Sequence, residues 1–134
     1  DPNRLLRCLR HVCGRDTIVH INVPNVRSFH RLLAYEMGVI DDIFEKSVME
    51  KKFHRHTRFD KALLFKMIER NGFRILSYGT YFIKPFTHRQ MEKIIIQKII
   101  NRQVLKGLEK MSKYMPELGC ELFVEARVKS SRIY

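Results

Sequence analysis

The sequence predicts an α/β domain, and three observations carry that expectation. Runs rich in β-branched and aromatic residues at 17–23, 73–83 and 121–128 read as strands. Apolar residues at helical spacing precede and separate these runs. Capping residues and glycines punctuate the boundaries in the order helix, strand, helices, strand, helix, strand. The hydrophobic fraction is 45%, enough to pack a core, so intrinsic disorder is excluded. Six glycines and four prolines are too few for a collagen-like or low-complexity chain.

Asp1-Pro2 followed by Leu5, Leu6, Cys8, Leu9 and Val12 predicts a first helix, with Pro in its first turn and Gly14 at its end. Thr17–Val23 is β-branched and follows a helix, so it is expected as a buried, parallel strand stopped by Pro24-Asn25. Ser28 is expected to cap a helix from Phe29 to Met37 that ends at Gly38. Asp41–Met49 allows a short helix, and the basic stretch after it reads as a loop. Asp60 is expected to cap a helix carrying Ala62, Leu63, Leu64, Met67 and Ile68, closed by Asn71-Gly72.

Phe73–Ile83 then reads as a strand that Gly79 breaks or bulges. Thr87 is expected to cap one long helix from about His88 to Met111. After a Pro116–Gly119 turn, Glu121–Val128 alternates in polarity like a strand in an antiparallel position. Three strands make a poor doubly covered sheet and leave edges exposed. The chain is therefore expected to be one partial domain over 1–134.

The formal charge of +12 is local. Residues 51–114 hold sixteen basic and four acidic groups, while the flanking segments are balanced. The densest part, Lys51-Lys52-Phe53-His54-Arg55-His56-Thr57-Arg58, interleaves cations with aromatic rings and suits an anion-facing role. Beyond it, Lys93, Lys98, Arg102, Lys106, Lys110 and Lys113 alternate with apolar residues, like a solvated helix face.

Several chemistries lack their residues. The three cysteines form no short pair, so neither a zinc site nor a disulfide framework is expected, and a reducing cytoplasm is the default. His54 and His56 have no carboxylate or Cys at ligand spacing, so no metal is expected. There is no Gly-x-Ser-x-Gly elbow and no Gly-x-Gly phosphate loop. No apolar run approaches the roughly 18 residues of a membrane span, and no secretory signal is read at Asp1. No membrane partner is expected. The most suggestive segment is Val23–Arg31, because ligands in open α/β sheets bind beyond the carboxyl ends of strands. That places Asn25, Ser28, His30 and Arg31 at the rim of a cleft.

These residues resemble a known family. The opening "DPNRLLRCLRHVCGRDTIVHINVPNVRSFHRLLA" resembles the helix, fifth strand and "VPN…S.HR" loop of class I S-adenosylmethionine-dependent methyltransferases of the small-molecule type. "HTRFDKALLFKMIERNGFRI" is similar to their helix ending in "GF" before the sixth strand. "YFIKPFTHRQM" resembles an "F.KP….QM" stretch, and "MPELGCELFVEAR" the closing seventh strand. Cys13-Gly14-Arg15-Asp16 departs from the "PGG" that the family carries ahead of its fifth strand.

The resemblance covers nearly the whole chain. It implies the C-terminal part of a Rossmann-like seven-stranded sheet: strands 5, 6 and 7 with flanking helices. The order would be 5, 7, 6, with strand 7 antiparallel. It also implies an enzyme that uses S-adenosylmethionine, whose glycine-rich donor loop and acidic ribose ligand match nothing here. The N-terminal donor-binding half is thus expected outside these residues, with no cofactor-binding residue inside them. The expected function is the acceptor side of a methyltransferase acting on a small molecule, a sugar or secondary metabolite, for which an anionic acceptor is one option. On that expectation His30 and His54 are candidate general bases, since imidazole suits neutral pH. Asn25, Ser28, Arg31, Arg55, Arg58, Tyr81 and Lys84 are candidate acceptor contacts, with arginine suited to phosphate or carboxylate. The alternatives are a basic nucleic-acid-binding module without chemistry and a homo-oligomerising fragment.

Overall fold

The computed structural model describes residues 1–46 and 57–129. Helix α1 (Pro2–Val12) starts on Asp1, whose carboxylate accepts the Asn3 amide at 2.8 Å. Strand β1 (Val19–Pro24) and helix α2 (Phe29–Glu36) follow. Helix α3 (Lys61–Arg70) is capped by Asp60, which accepts from the Leu63 amide at 2.8 Å. Then come β2 (Phe73–Tyr81), α4 (His88–Ile96), α5 (Arg102–Lys110), a 3-10 turn at Met111–Lys113 and β3 (Glu121–Val128).

The fold is α/β around a small antiparallel sheet of order β1-β3-β2. The last strand lies between the other two and runs against both. β1 and β2 therefore run in the same direction without touching. The expectation of a buried, parallel β1 is corrected. It pairs antiparallel with β3, from Val19 opposite Ala126 to Pro24 opposite Glu121, and alternate residues are exposed. The helix before it suggests a parallel crossover, but the strand that pairs with it, β3, is the last in the chain and arrives reversed.

One sheet face is covered. Leu6 of α1, Leu64 and Ile68 of α3, and Phe59 pack on Phe73, Leu122, Val124 and Ala126. Leu64, Ile68 and Phe73 are 0% exposed, and each such burial contributes roughly 1.5–3 kcal/mol. The opposite face carries His20, Tyr81 and Phe123 in a stack, with ring centroids 4.7 Å apart for Tyr81–Phe123 and 5.6 Å for His20–Phe123. His20 is exposed, and its Nε2 lies 3.1 Å from the Tyr81 hydroxyl.

Gly79 does not bulge β2. The irregularity falls between Ile75 and Ser77, while Gly79 stays opposite Phe123. A Cβ on Gly79 would lie 2.6 Å from the Phe123 ring, so the glycine admits the ring rather than bending the strand. No helix forms over Asp41–Lys46, which turns irregularly; the rest of that expected helix, and Lys51–His56, lie outside the described residues.

The long helix expected after Thr87 is two helices. Thr87 and Gln90 form the capping box that starts α4. α4 then closes in a Schellman motif. The Ile99 amide donates to the Ile94 carbonyl at 2.9 Å and the Lys98 amide to the Ile95 carbonyl at 3.0 Å. Asn101 starts α5 anew, accepting from the Val104 amide at 3.0 Å. The closing position needs positive φ. Gly38 supplies it after α2 at +68°, but after α4 the residue is Lys98, at +56°.

A left-handed non-glycine residue costs about 1–2 kcal/mol, and glycine gives back roughly 0.5–1 kcal/mol in unfolded-chain entropy. Lys98→Gly is therefore expected to stabilise the chain by about 0.5–1 kcal/mol. Thermal melting would show it as a raised midpoint; an unchanged or lowered midpoint would contradict the reading of this turn.

Candidate functional site

At the carboxyl end of β1 the chain leaves the sheet as Asn25-Val26, and both residues are buried. The Asn25 amide donates to the Cys120 carbonyl at 3.0 Å, and the Val26 amide to Phe59 on the other side at 3.0 Å. The Asn25 side chain then joins three pieces of chain. Its Nδ2 donates to the carbonyls of Glu117 (2.9 Å) and Gly119 (2.8 Å), and its Oδ1 accepts from the Arg27 amide (3.0 Å). Thr80 completes the junction, donating to the Pro116 carbonyl at 2.9 Å and accepting from the Gly119 amide at 3.1 Å.

Beyond this junction opens a cleft of about 1100 Å³, lined by Asn25, Arg31, Arg58 and Phe59 together with Lys66 and Arg70 of α3. Asp1 and Glu121 also line it, so four cations face two carboxylates. Arg31 lies on α2 and points its guanidinium at the loop that follows the helix. Its Nε and Nη2 donate to the Ile43 carbonyl at 3.0 and 2.7 Å, and Nη2 donates to the Glu45 carbonyl at 2.7 Å. Arg58 Nη1 reaches the same Ile43 carbonyl at 3.4 Å. Two arginines from segments 27 residues apart thus converge on one backbone oxygen and on one cleft.

Ser28 stands at the N-cap of α2, as expected, but its hydroxyl makes no capping bond; it is 0% exposed, with no partner among the described residues. His30 does not line the cleft. Its imidazole is pushed down to about 4, first by burial and then by the charges of Lys84 and Arg31. Its Nδ1 is buried without a partner among the described residues. Lys84 follows Phe82, which takes φ +53°. Burial raises the Cys120 thiol, partly offset by Lys84, so this cysteine is held away from the thiolate form.

A histidine with a lowered folded pKa binds fewer protons folded than unfolded between about 4 and 6.5. Its contribution to stability is present above 6.5 and is lost as pH falls toward 4. With solvent screening at this half-buried site, the loss is of order 1–2 kcal/mol. Urea titrations across this range are expected to show the decline, and His30→Gln is expected to flatten it. An equal slope in the variant would assign the decline to other groups.

Of the residues expected at the site, Asn25, Arg31 and Arg58 line the cleft together. Ser28 and His30 lie on the adjoining helix start, with Lys84 in electrostatic reach of His30. Tyr81 is elsewhere, on the uncovered sheet face. His54 and Arg55 lie outside the described residues. Sequence reasoning passed over Lys66 and Arg70, although their i, i+4 spacing places both on one side of α3.

The residues of the cleft fit an anion. Its four cations repel the sulfonium and ammonium of S-adenosylmethionine, and Asp1 and Glu121 are the two lining carboxylates that would attract them. Among the described residues, no group of three His, Cys, Asp or Glu is placed to hold a metal ion. No helix among them is long and apolar enough to cross a membrane. No protein-family model and no curated protein matches the chain.

Proposed function

We propose that this chain is the C-terminal, acceptor-side part of a class I S-adenosylmethionine-dependent methyltransferase, built on a Rossmann-like sheet, and that its acceptor is a small anionic molecule. The observation that carries this is the strand arrangement. β1-β3-β2 with a reversed central strand is the 5-7-6 order that the motif resemblance implies. The cleft supports it too, since it lies beyond the carboxyl end of β1, where open α/β sheets bind ligands.

On this reading the cleft orients the acceptor. Arg31 and Arg58 offer guanidinium groups suited to phosphate or carboxylate. His30 is uncharged at neutral pH and can accept a proton there only weakly, so its part is positional unless the acceptor draws close to it. The donor would be held by residues outside this sequence and, when bound, would be the source of the methyl group.

The coding sequence upstream of Asp1 tests the proposal. It is expected to continue in frame and to encode a strand followed by a glycine-rich loop. An in-frame stop immediately ahead of Asp1, with no such segment, would overturn it.

A further inference from the structure

The helices between β2 and β3 bury little of their apolar surface. Met91 is the one hydrophobic residue of α4 and α5 below a tenth exposed. Exposure is greatest at the turn joining the two helices, where Ile96 is 70% and Ile99 67% exposed, with Ile95 at 41% beside them. Lys98 stands between the first two in a left-handed conformation that a glycine would adopt more cheaply. The Schellman hydrogen bonds hold this tip in one shape.

Cations flank it in the sequence. From His88 to Tyr114 the chain has seven Lys and Arg against Glu92 and Glu109. None of the seven forms an ion pair with another described residue.

We propose that the α4–α5 tip is an interfacial anchor for an anionic bilayer surface. Exposed aliphatic side chains in a Lys- and Arg-rich segment match such a surface in both respects: the apolar groups enter the acyl boundary and the cations meet the headgroups. A nucleic-acid ligand fits less well, because stacking on bases needs aromatic rings and the tip carries isoleucines. A protein partner fits less well too, since protein hot spots favour Trp, Tyr and Arg over aliphatic residues. The absence of a membrane span does not bear on this, because an interfacial helix lies on the bilayer rather than across it. The anchor rests on the tip alone and stands whether or not the cleft binds an acceptor.

Co-sedimentation with vesicles tests it, using phosphatidylcholine alone and phosphatidylcholine with phosphatidylglycerol in equal parts. The chain is expected to pellet with the anionic vesicles and not with the neutral ones. The double variant Ile96→Ser, Ile99→Ser, with its fold checked by circular dichroism, is expected to bind more than tenfold more weakly. Lys98→Gly is expected to bind about fivefold more weakly while melting at a higher temperature, a combination that unfolding cannot produce. Three results would each overturn the proposal: no sedimentation with anionic vesicles, binding that the isoleucine variant leaves unchanged, or self-association lost in that variant with no vesicle binding in the parent.

Discussion

Asn25→Ala is expected to destabilise the chain by about 3 kcal/mol, the largest single effect at the site. The side chain makes three hydrogen bonds, to Glu117, Gly119 and Arg27, while the residue is only 3% exposed. Truncation would leave the two carbonyls and the Arg27 amide without these bonds, and an unmet buried polar group costs about 1–3 kcal/mol. The junction joins the end of β1 to the turn ahead of β3, so the loss is cooperative with the sheet. Urea denaturation is expected to show a lower midpoint with little change in slope. Asn25→Asp keeps the acceptor but removes the donor, and is expected to be nearly as damaging. A midpoint within error of the parent would mean that water replaces all three bonds.

Arg31→Ala is expected to cost about 2 kcal/mol and to weaken anion binding in the cleft. The guanidinium ties α2 to the 43–45 backbone through three hydrogen bonds, two of them to a single carbonyl. Lysine carries the charge but not the planar fork, so Arg31→Lys is expected to recover part of the anion affinity and little of the stability. That split between charge and geometry is the readout. Titration with inorganic phosphate, followed by chemical-shift changes at Arg58 and Arg70, reports the first term, and urea denaturation the second. If alanine and lysine were equal in both, Arg31 would be neither a tether nor an anion contact.

Much of the architecture was legible because local chemistry and tertiary structure agree. Asp60 and Thr87 each cap the helix their position predicts. The alternation in Glu121–Val128 predicts a half-buried antiparallel strand, and that strand lies mid-sheet with every second residue buried through Ala126. Two of the misreadings share a cause: they depend on residues distant in sequence. β1 reads as parallel until its reversed partner is known. Gly79 reads as a strand breaker until the Phe123 ring is found over it. The division after Ile96 was hidden because Lys98 occupies a position where sequence reasoning looks for glycine or asparagine.

The site divides in the same way. Strand-end logic brought Asn25 and Arg31 to the cleft, and the basic density brought Arg58. It could not show that Asn25 is occupied in holding the fold, or that Tyr81 faces away on the other side of the sheet. Both facts follow from strand register and from where the 116–119 turn packs, and neither of these has a local signature.

The central claim is that these residues form the acceptor side of a methyltransferase whose donor site lies elsewhere in a longer chain. Calorimetric titration with S-adenosylmethionine tests it most directly, on residues 1–134 and on the product of the frame extended upstream. The account predicts no binding heat for 1–134 and micromolar binding for the extended protein. Micromolar binding by 1–134, or none by the extended protein, would contradict it.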